Sequence, residues 1–335
     1  MKKNKFWLAA MAVTVSMASC SLEEVMEQPE PQAIGFSSFV GKPTRAVTET
    51  KTNNLGSFKV YGGYATNTDV FNGTVVTSDD NGNTWKYTGT QYWVPGQSYK
   101  FAAMGPSDTD IDTKLSFDYT SGHLKLENYE VPDLATGSKD LVYAVASRDN
   151  SSSENYDAVP FSFGHIMSWI KIKFVHGLTD GYKITVSDVT VTGVRTKGTF
   201  NGTDWTMDSS PSDATFNDQD PNEDSYNQID KILDANGDNC LVDFIAIPQT
   251  VATLNISFKL TVQDDQGSYI VGADGAPKEF LATALSSVAW QKDYVYTYTA
   301  TLDESVLGLK PITFTATVNS WTNTDNNTDL TIPNP

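Results

Sequence analysis

From residue 33 onward, apolar and polar positions alternate with a period of two, and the 3.6-residue recurrence of an amphipathic helix is nearly absent. Runs rich in Val, Ile, Thr, Tyr and Phe stand between clusters of Gly, Asn, Asp and Pro. Residues 58–64 read as one strand. The stretch Asp80-Asn81-Gly82-Asn83 predicts a hairpin turn, because Asn-Gly tolerates the positive φ of a type I′ turn. Short strands follow at Trp85-Lys86-Tyr87 and Gln91-Tyr92-Trp93, closed by Pro95-Gly96. Residues 99–104 and 141–146 are mostly apolar and suit buried strands. Further strands are predicted at 183–194, 240–247, 254–262, 295–302 and 312–318. Strands at this spacing, with no helices between them, predict an all-β chain built from antiparallel β-sandwiches.

A chain of 335 residues is long enough for two ordinary domains. The Ser/Asn-rich segment 149–157 reads as an exposed loop and is followed by Pro160. From there the chain runs Phe161-Ser162-Phe163-Gly164-His165-Ile166-Met167-Ser168 into a clean alternation. Trp169, Lys171 and Lys173 fall on one face and Ile170, Ile172 and Phe174 on the other. The expected division is therefore a β-sandwich domain over 33–160 and a second over 161–335. Residues 209–230 are polar and acidic and read as a long loop.

The first nineteen residues are different in kind. Lys2, Lys3 and Lys5 form a basic start, an apolar segment too short to span a bilayer follows, and Ala18-Ser19 abuts Cys20. This resembles the bacterial lipobox, in which the cysteine thiol is acylated and becomes residue one, although Met17 departs from the usual Leu. Residues 1–19 are expected to be a lipoprotein signal peptide, with Cys20 as the lipidation site. Residues 20–32, with Glu23-Glu24 and Pro29-Glu30-Pro31, read as a tether. The acidic pair resembles the signal that sends Bacteroidetes lipoproteins to the outer face of the outer membrane. Removing 1–19 leaves 20 basic against 41 acidic groups, a net charge of −21. Such a surface repels nucleic acid and anionic lipid, so neither is expected as a main partner. Of the two cysteines, a lipidated Cys20 leaves Cys240 without a disulfide partner, and Cys240 reads as a buried, inert thiol.

Catalytic chemistry is thin. The histidines are His123, His165 and His176, and no nucleophile elbow, His-Glu-x-x-His or Cys-x-x-Cys motif accompanies them. His123 reads as a turn residue and His165 as a hydrogen-bonded core histidine. The runs Asp108-x-Asp110-x-Asp112 and Asp234-x-Asn236-x-Asp238 resemble the front of a calcium loop but lack Gly at the sixth position and Glu at the twelfth, and read as solvated loops. Carboxylate pairs carry no signal in so acidic a chain. Tyr92-Trp93 could form a sugar platform, but sandwich cores use such residues as well. No enzyme activity, cofactor or metal is expected.

Taken in order, these features resemble the fimbrillin family of Bacteroidetes, the fimbrillin/Mfa-like pilins, whose sandwiches are Greek-key, transthyretin-like domains in tandem. The features are Cys20; a first strand Ile34-Gly35-Phe36-Ser37-Ser38-Phe39-Val40 leading to Thr44-Arg45-Ala46; Leu55-Gly56-Ser57-Phe58-Lys59-Val60-Tyr61; and Tyr92-Trp93-x-Pro95 before Tyr99-Lys100-Phe101-Ala102-Ala103. Val159-Pro160-Phe161 through Ser168 comes next, then Tyr296-Thr297-Tyr298 and Ile312 through Trp321. The resemblance implies a surface lipoprotein folded around its own first strand. An arginine-specific or trypsin-like protease cuts after Arg45, before Ala46, and the strand carrying Ile34, Phe36, Phe39 and Val40 leaves with its lipid. A C-terminal strand of the next subunit then fills the groove by β-strand addition, and the head-to-tail contact propagates an open filament. The donor candidate is Ile312, Phe314, Ala316 and Val318, which also reads as the domain's own last strand.

The sequence thus predicts an outer-membrane fimbrial subunit or fimbria-associated adhesin. Its expected partners are other fimbrial subunits, the membrane through Cys20, a processing protease and a host or bacterial surface ligand. The alternative is a non-polymerising surface glycan-binding lipoprotein that uses loop aromatics on a similar sandwich.

Overall fold

The computed structural model describes residues 30–40, 54–65, 68–107, 111, 113–131, 133–135, 138–151, 155–208, 210–216, 231–233, 240–282 and 285–321. These fold into 22 strands. In the first half these are β1 (Phe36–Val40), β2 (Ser57–Tyr64), β3 (Thr68–Thr77), β4 (Lys86–Tyr87), β5 (Ser98–Gly105), β6 (Leu115–Asp118), β7 (His123–Glu130), β8 (Val142–Asp149) and β9 (Val159–His165). The second half opens with β10 (Ser168–His176), β11 (Lys183–Arg195), β12 (Lys197–Phe200), β13 (Trp205–Met207), β14 (Pro211–Phe216), β15 (Lys231–Ile232) and β16 (Cys240–Ala246). It closes with β17 (Thr250–Gln263), β18 (Tyr269–Val271), β19 (Lys278–Leu281), β20 (Leu285–Ala289), β21 (Tyr294–Leu302) and β22 (Phe314–Ser320).

The first sheet has the order β1-β9-β8-β5-β2-β3-β4. It curls until its two edges approach each other: the Phe36 ring on β1 lies 5.1 Å from Phe71 on β3 and 5.7 Å from Tyr87 on β4. One aromatic core fills the concave side, with Phe58, Val60, Phe101 and Phe161 fully buried. The opposite side of the same sheet, through Tyr61, Ala102 and Met104, joins a larger core that continues into the second half of the chain. Alternation along β2 and β5 sends successive side chains to these two cores, which is why both strands read as mostly apolar. The turn predicted at Asn81-Gly82 is present, with φ of 59° and 83° at the two residues, inside a longer connection from β3 to β4.

The second half contributes a sheet ordered β16-β10-β21-β22 and another built on β14-β11-β17-β18. A third, β13-β12-β7-β6, takes strands from both halves. The expected break after residue 160 lies within β9, near its start. The first sheet runs on to His165 because Phe161 and Phe163 are needed in its core. The all-β expectation holds, with two parallel pairs, β1/β9 and β10/β21, in otherwise antiparallel sheets. Within the expected loop 209–230, Pro211–Phe216 forms β14 and extends the edge of β11.

Candidate functional site

The segment that matters is the first strand. β1 pairs in parallel with β9, from Phe36 opposite Val159 to Val40 opposite Phe163. It is the edge of its sheet. On the other side, the residues just before it are tied to the far end of the sheet. Ile34 N donates to Gln91 O at 2.8 Å, and Trp93 N donates to Gln32 O at 2.9 Å. The Tyr87 hydroxyl donates to Ile34 O at 2.7 Å and accepts from Gln91 N at 3.2 Å. Burial pushes the Tyr87 phenol above its ordinary value, which keeps it a donor across the working pH range. The 30–40 segment therefore closes the seam where the curled sheet would otherwise gape.

Period two decides what enters that seam. Ile34, Phe36 and Val40 point inward and are buried, and Ser38 is half-buried between them, its Oγ enclosed with no hydrogen-bond partner among the described residues. Phe36 meets five rings, those of Phe58, Phe71, Tyr87, Phe101 and Phe161, at centroid distances of 5.1 to 6.5 Å. Phe39 faces away from this core and is 57% exposed. Of the four residues expected in the leaving strand, three are core and one is solvent-facing. The other expected processing residues, Cys20, Arg45 and Ala46, lie outside the described residues, as do Asp108, Asp110 and the run 234–238.

The donor candidate is built into its own subunit. β22 is the edge of the second-half sheet and pairs antiparallel with β21. Ile312, Phe314 and Val318 are buried and Ala316 is half-buried. The order and spacing repeat β1: Ile, aromatic, small residue and Val at every second position. Trp321, immediately after β22, is fully buried, and its ring stacks on His165 at 4.3 Å with planes 2° apart. His165 is the core histidine expected, with Nδ1 at 2.9 and 3.0 Å from the two Asp140 oxygens. Nothing local in the sequence signals this pair, because Asp140, just before β8, and His165, at the end of β9, lie 25 residues apart.

Other candidates resolve simply. Trp93 is buried against Tyr99, so Tyr92-Trp93 presents one exposed ring rather than a platform. His123 opens β7 rather than sitting in the turn before it, and its Nδ1 lies 3.1 Å from the Tyr143 hydroxyl. His176 Nε2 lies 2.9 Å from Tyr182 O. Cys240 is half-buried, not buried, because it starts a strand at the rim of its sheet. Among the described residues no three His, Cys, Asp or Glu side chains gather as a metal site, and no helix is long and apolar enough to cross a membrane.

A family model described as fimbrillin-like matches residues 44–321, most of the chain. The chain belongs to the fimbrillin-like family. Among solved structures, the fold of this fimbrillin-like chain is similar to a fimbrial protein from Bacteroides vulgatus, at 18% identity and a TM-score of 0.58, covering 87% of this chain and 99% of that one. It is also similar to a candidate cell adhesion protein from Bacteroides ovatus, at 14% identity and a TM-score of 0.53, covering 87% and 98%. No curated protein matches the chain. At such identities the structural likeness establishes the fold, and the family assignment rests on the sequence model.

Proposed function

We propose that this protein is a fimbrial structural subunit or fimbria-associated adhesin whose first strand is a replaceable seal. In this reading the chain is held at the outer membrane through a lipid on Cys20. A trypsin-like or arginine-specific protease cuts after Arg45, and a strand from another subunit takes the place of β1. The observation that carries the reading is the seating of β1: an edge strand, held by one neighbour's ladder, whose Phe36 is the hub of an aromatic core. Its departure exposes an apolar groove and the unpaired backbone of β9, both of which β-strand addition restores.

Magnitudes shape the mechanism. Burying Ile34, Phe36 and Val40 is worth about 5–9 kcal/mol, taking roughly 1.5–3 kcal/mol for each side chain. A cut β1 therefore stays seated until a competing strand displaces it. The inward pattern of Ile312, Phe314, Ala316 and Val318 matches that of β1, which supports it as the competing strand. Ala316 also takes the place of Ser38, whose enclosed hydroxyl has no partner among the described residues, so an incoming strand of this pattern fits the seam with one less unsatisfied group. Trp93 is buried, which leaves Tyr92 as the one exposed ring of that pair for the glycan-binding alternative.

The test is electrophoresis of unboiled protein after treatment with an arginine-specific protease. Wild type should give an SDS-resistant ladder that collapses on boiling, and Arg45→Ala should give none. A single monomer band in wild type despite confirmed cleavage at Arg45 would exclude self-assembly by this route.

A further inference from the structure

The two strands at the centre of that reading, β1 and β22, lie at the edges of different sheets, yet one buried side-chain stack links the end of β22 to β9, the neighbour of β1. β9 pairs with β1 along Val159–Phe163. Its pairing with β8 is confined to Gly164 and His165. β1 thus supplies the ladder for most of β9, and the end that β8 holds is the end that carries His165. The His165 ring is clamped from one direction by Asp140, with side chains 1% and 0% exposed, and from another by the stacked Trp321 ring. Trp321 also lies 5.4 Å from Trp169, and its backbone N donates to Asp293 O at 2.8 Å, closing the end of β22. Asp293 in turn donates from its own N to Met167 O at 3.0 Å, two residues beyond His165. The end of the groove strand and the end of β22 are therefore parts of a single packed unit.

We infer that Asp140, His165 and Trp321 form a latch that couples occupancy of the β1 seam to retention of β22 in its own sheet. This rests on the reading of β1 as removable and adds its regulation. While β1 is seated, β9 is held along its length, His165 is fixed against Asp140, and Trp321 docks on it. When β1 leaves, Val159–Phe163 loses its ladder, His165 is left held by β8 and Asp140 at the end of an unsupported strand, and the stack that terminates β22 loosens. The two states are β22 docked and β22 released. A subunit with its own first strand in place keeps β22 to itself, and one with an empty seam offers it. All three are positioning residues acting through packing, and none reacts chemically.

Coupling of this kind is reciprocal, so it has a test that needs no protease. Hydrogen exchange by mass spectrometry on the uncut full chain should show that Trp321→Phe, which keeps an apolar ring but shortens the stack, speeds exchange of β1 and β9 amides by roughly 5- to 150-fold. The β11 and β17 amides serve as the internal reference and should not change. A merely local packing role would speed exchange around Trp321 alone and leave β1 untouched, which overturns the latch. In the forward direction, β1 is displaced either by cleavage after Arg45 or by Phe36→Asp in the intact chain, with displacement read from the β1 peptide itself. Amides of β22 should then exchange faster by a similar factor, and unchanged β22 exchange with β1 displaced also overturns the latch. If β1 stays protected in both forward arms, the removable-strand reading fails by itself, and the uncut Trp321→Phe arm decides the latch.

Discussion

Phe36 and Phe39 sit three residues apart on one five-residue strand and should behave as opposites. Phe36 is 6% exposed and ringed by five aromatic side chains, whereas Phe39 is 57% exposed on the other face. Truncating a buried Phe to Ala removes its transfer free energy and leaves a cavity, at a cost of about 3–5 kcal/mol. The ring contacts lie within that figure rather than adding to it, because they share one side chain. Phe39→Ala removes an exposed ring and should stay within about 0.5 kcal/mol of wild type. The assay is a urea titration of the uncut protein followed by tryptophan fluorescence, since Trp85 and Trp93 pack in or against the same core. With a urea slope of about 1–3 kcal/mol/M, Phe36→Ala should lower the midpoint by roughly 1 M or more. The reference is Phe39→Ala, which differs from it by position and not by chemistry. Equal midpoints for the two variants would refute the assignment of Phe36 as the hub of the seam. A corollary follows for assembly: in cut protein, Phe36→Ala should release β1 faster than wild type, and the SDS-resistant ladder should form sooner.

Ser38→Ala should raise the stability of the uncut protein by about 1 kcal/mol in the same titration, because it removes an enclosed hydroxyl with no partner among the described residues; a loss of stability would mean that the hydroxyl is satisfied. Asp80 accepts hydrogen bonds from Ser78 Oγ and from the Thr84 amide and hydroxyl, which together hold its carboxyl down to about 2, led by the Thr84 hydroxyl. Since the folded value lies below the unfolded one, the stabilisation is present above about pH 4 and is lost as pH falls through about 2; an Asp80 carboxyl signal titrating near 4 by NMR would contradict the loop geometry. Gly193 has φ of 96°, and a Cβ there would come within 2.2 Å of Thr253 O. Gly193→Ala should therefore destabilise the β11–β17 pair by at least about 1–3 kcal/mol, seen as a lower thermal midpoint, with no effect on the β1 seam.

What the sequence made legible follows from periodicity. Strands with a sustained apolar pattern, such as β2, β5, β10 and β21, were readable because one or both faces are buried along their length. Others escaped. β3 spreads Phe71 and Val76 among Thr, Asn and Gly, so its alternation is weak. β12 has four residues and β13 three, too short to show a period, yet with β7 they form the sheet that draws on both halves of the chain. The strand that crosses Pro160 was hidden for a related reason. Proline on an edge-facing position is compatible with a strand, and here Pro160 lies within β9, opposite Ser37 of β1.

The seam was half legible, and the missing half is the instructive one. Alternation in residues 34–40 shows which side chains point inward, but pairing is a relation between distant segments. No local pattern says that β1 lies parallel to β9, or that Gln32 and Ile34 bond to Gln91 and Trp93. The same limit applies to β22, whose inward residues repeat those of β1 while its neighbour is β21. Two strands with one inward pattern can compete for one groove, so pattern by itself cannot say which strand occupies it. The choice must come from contacts outside the repeated positions. For β1 these are the Tyr87 hydroxyl on Ile34 O and the bonds at residues 91–93. For β22 they are Trp321, His165 and Asp140. Exchanging the small residues, as Ser38→Ala with Ala316→Ser, should therefore shift the relative stabilities of the two strands without reassigning either one, whereas disrupting Trp321 should change where β22 resides.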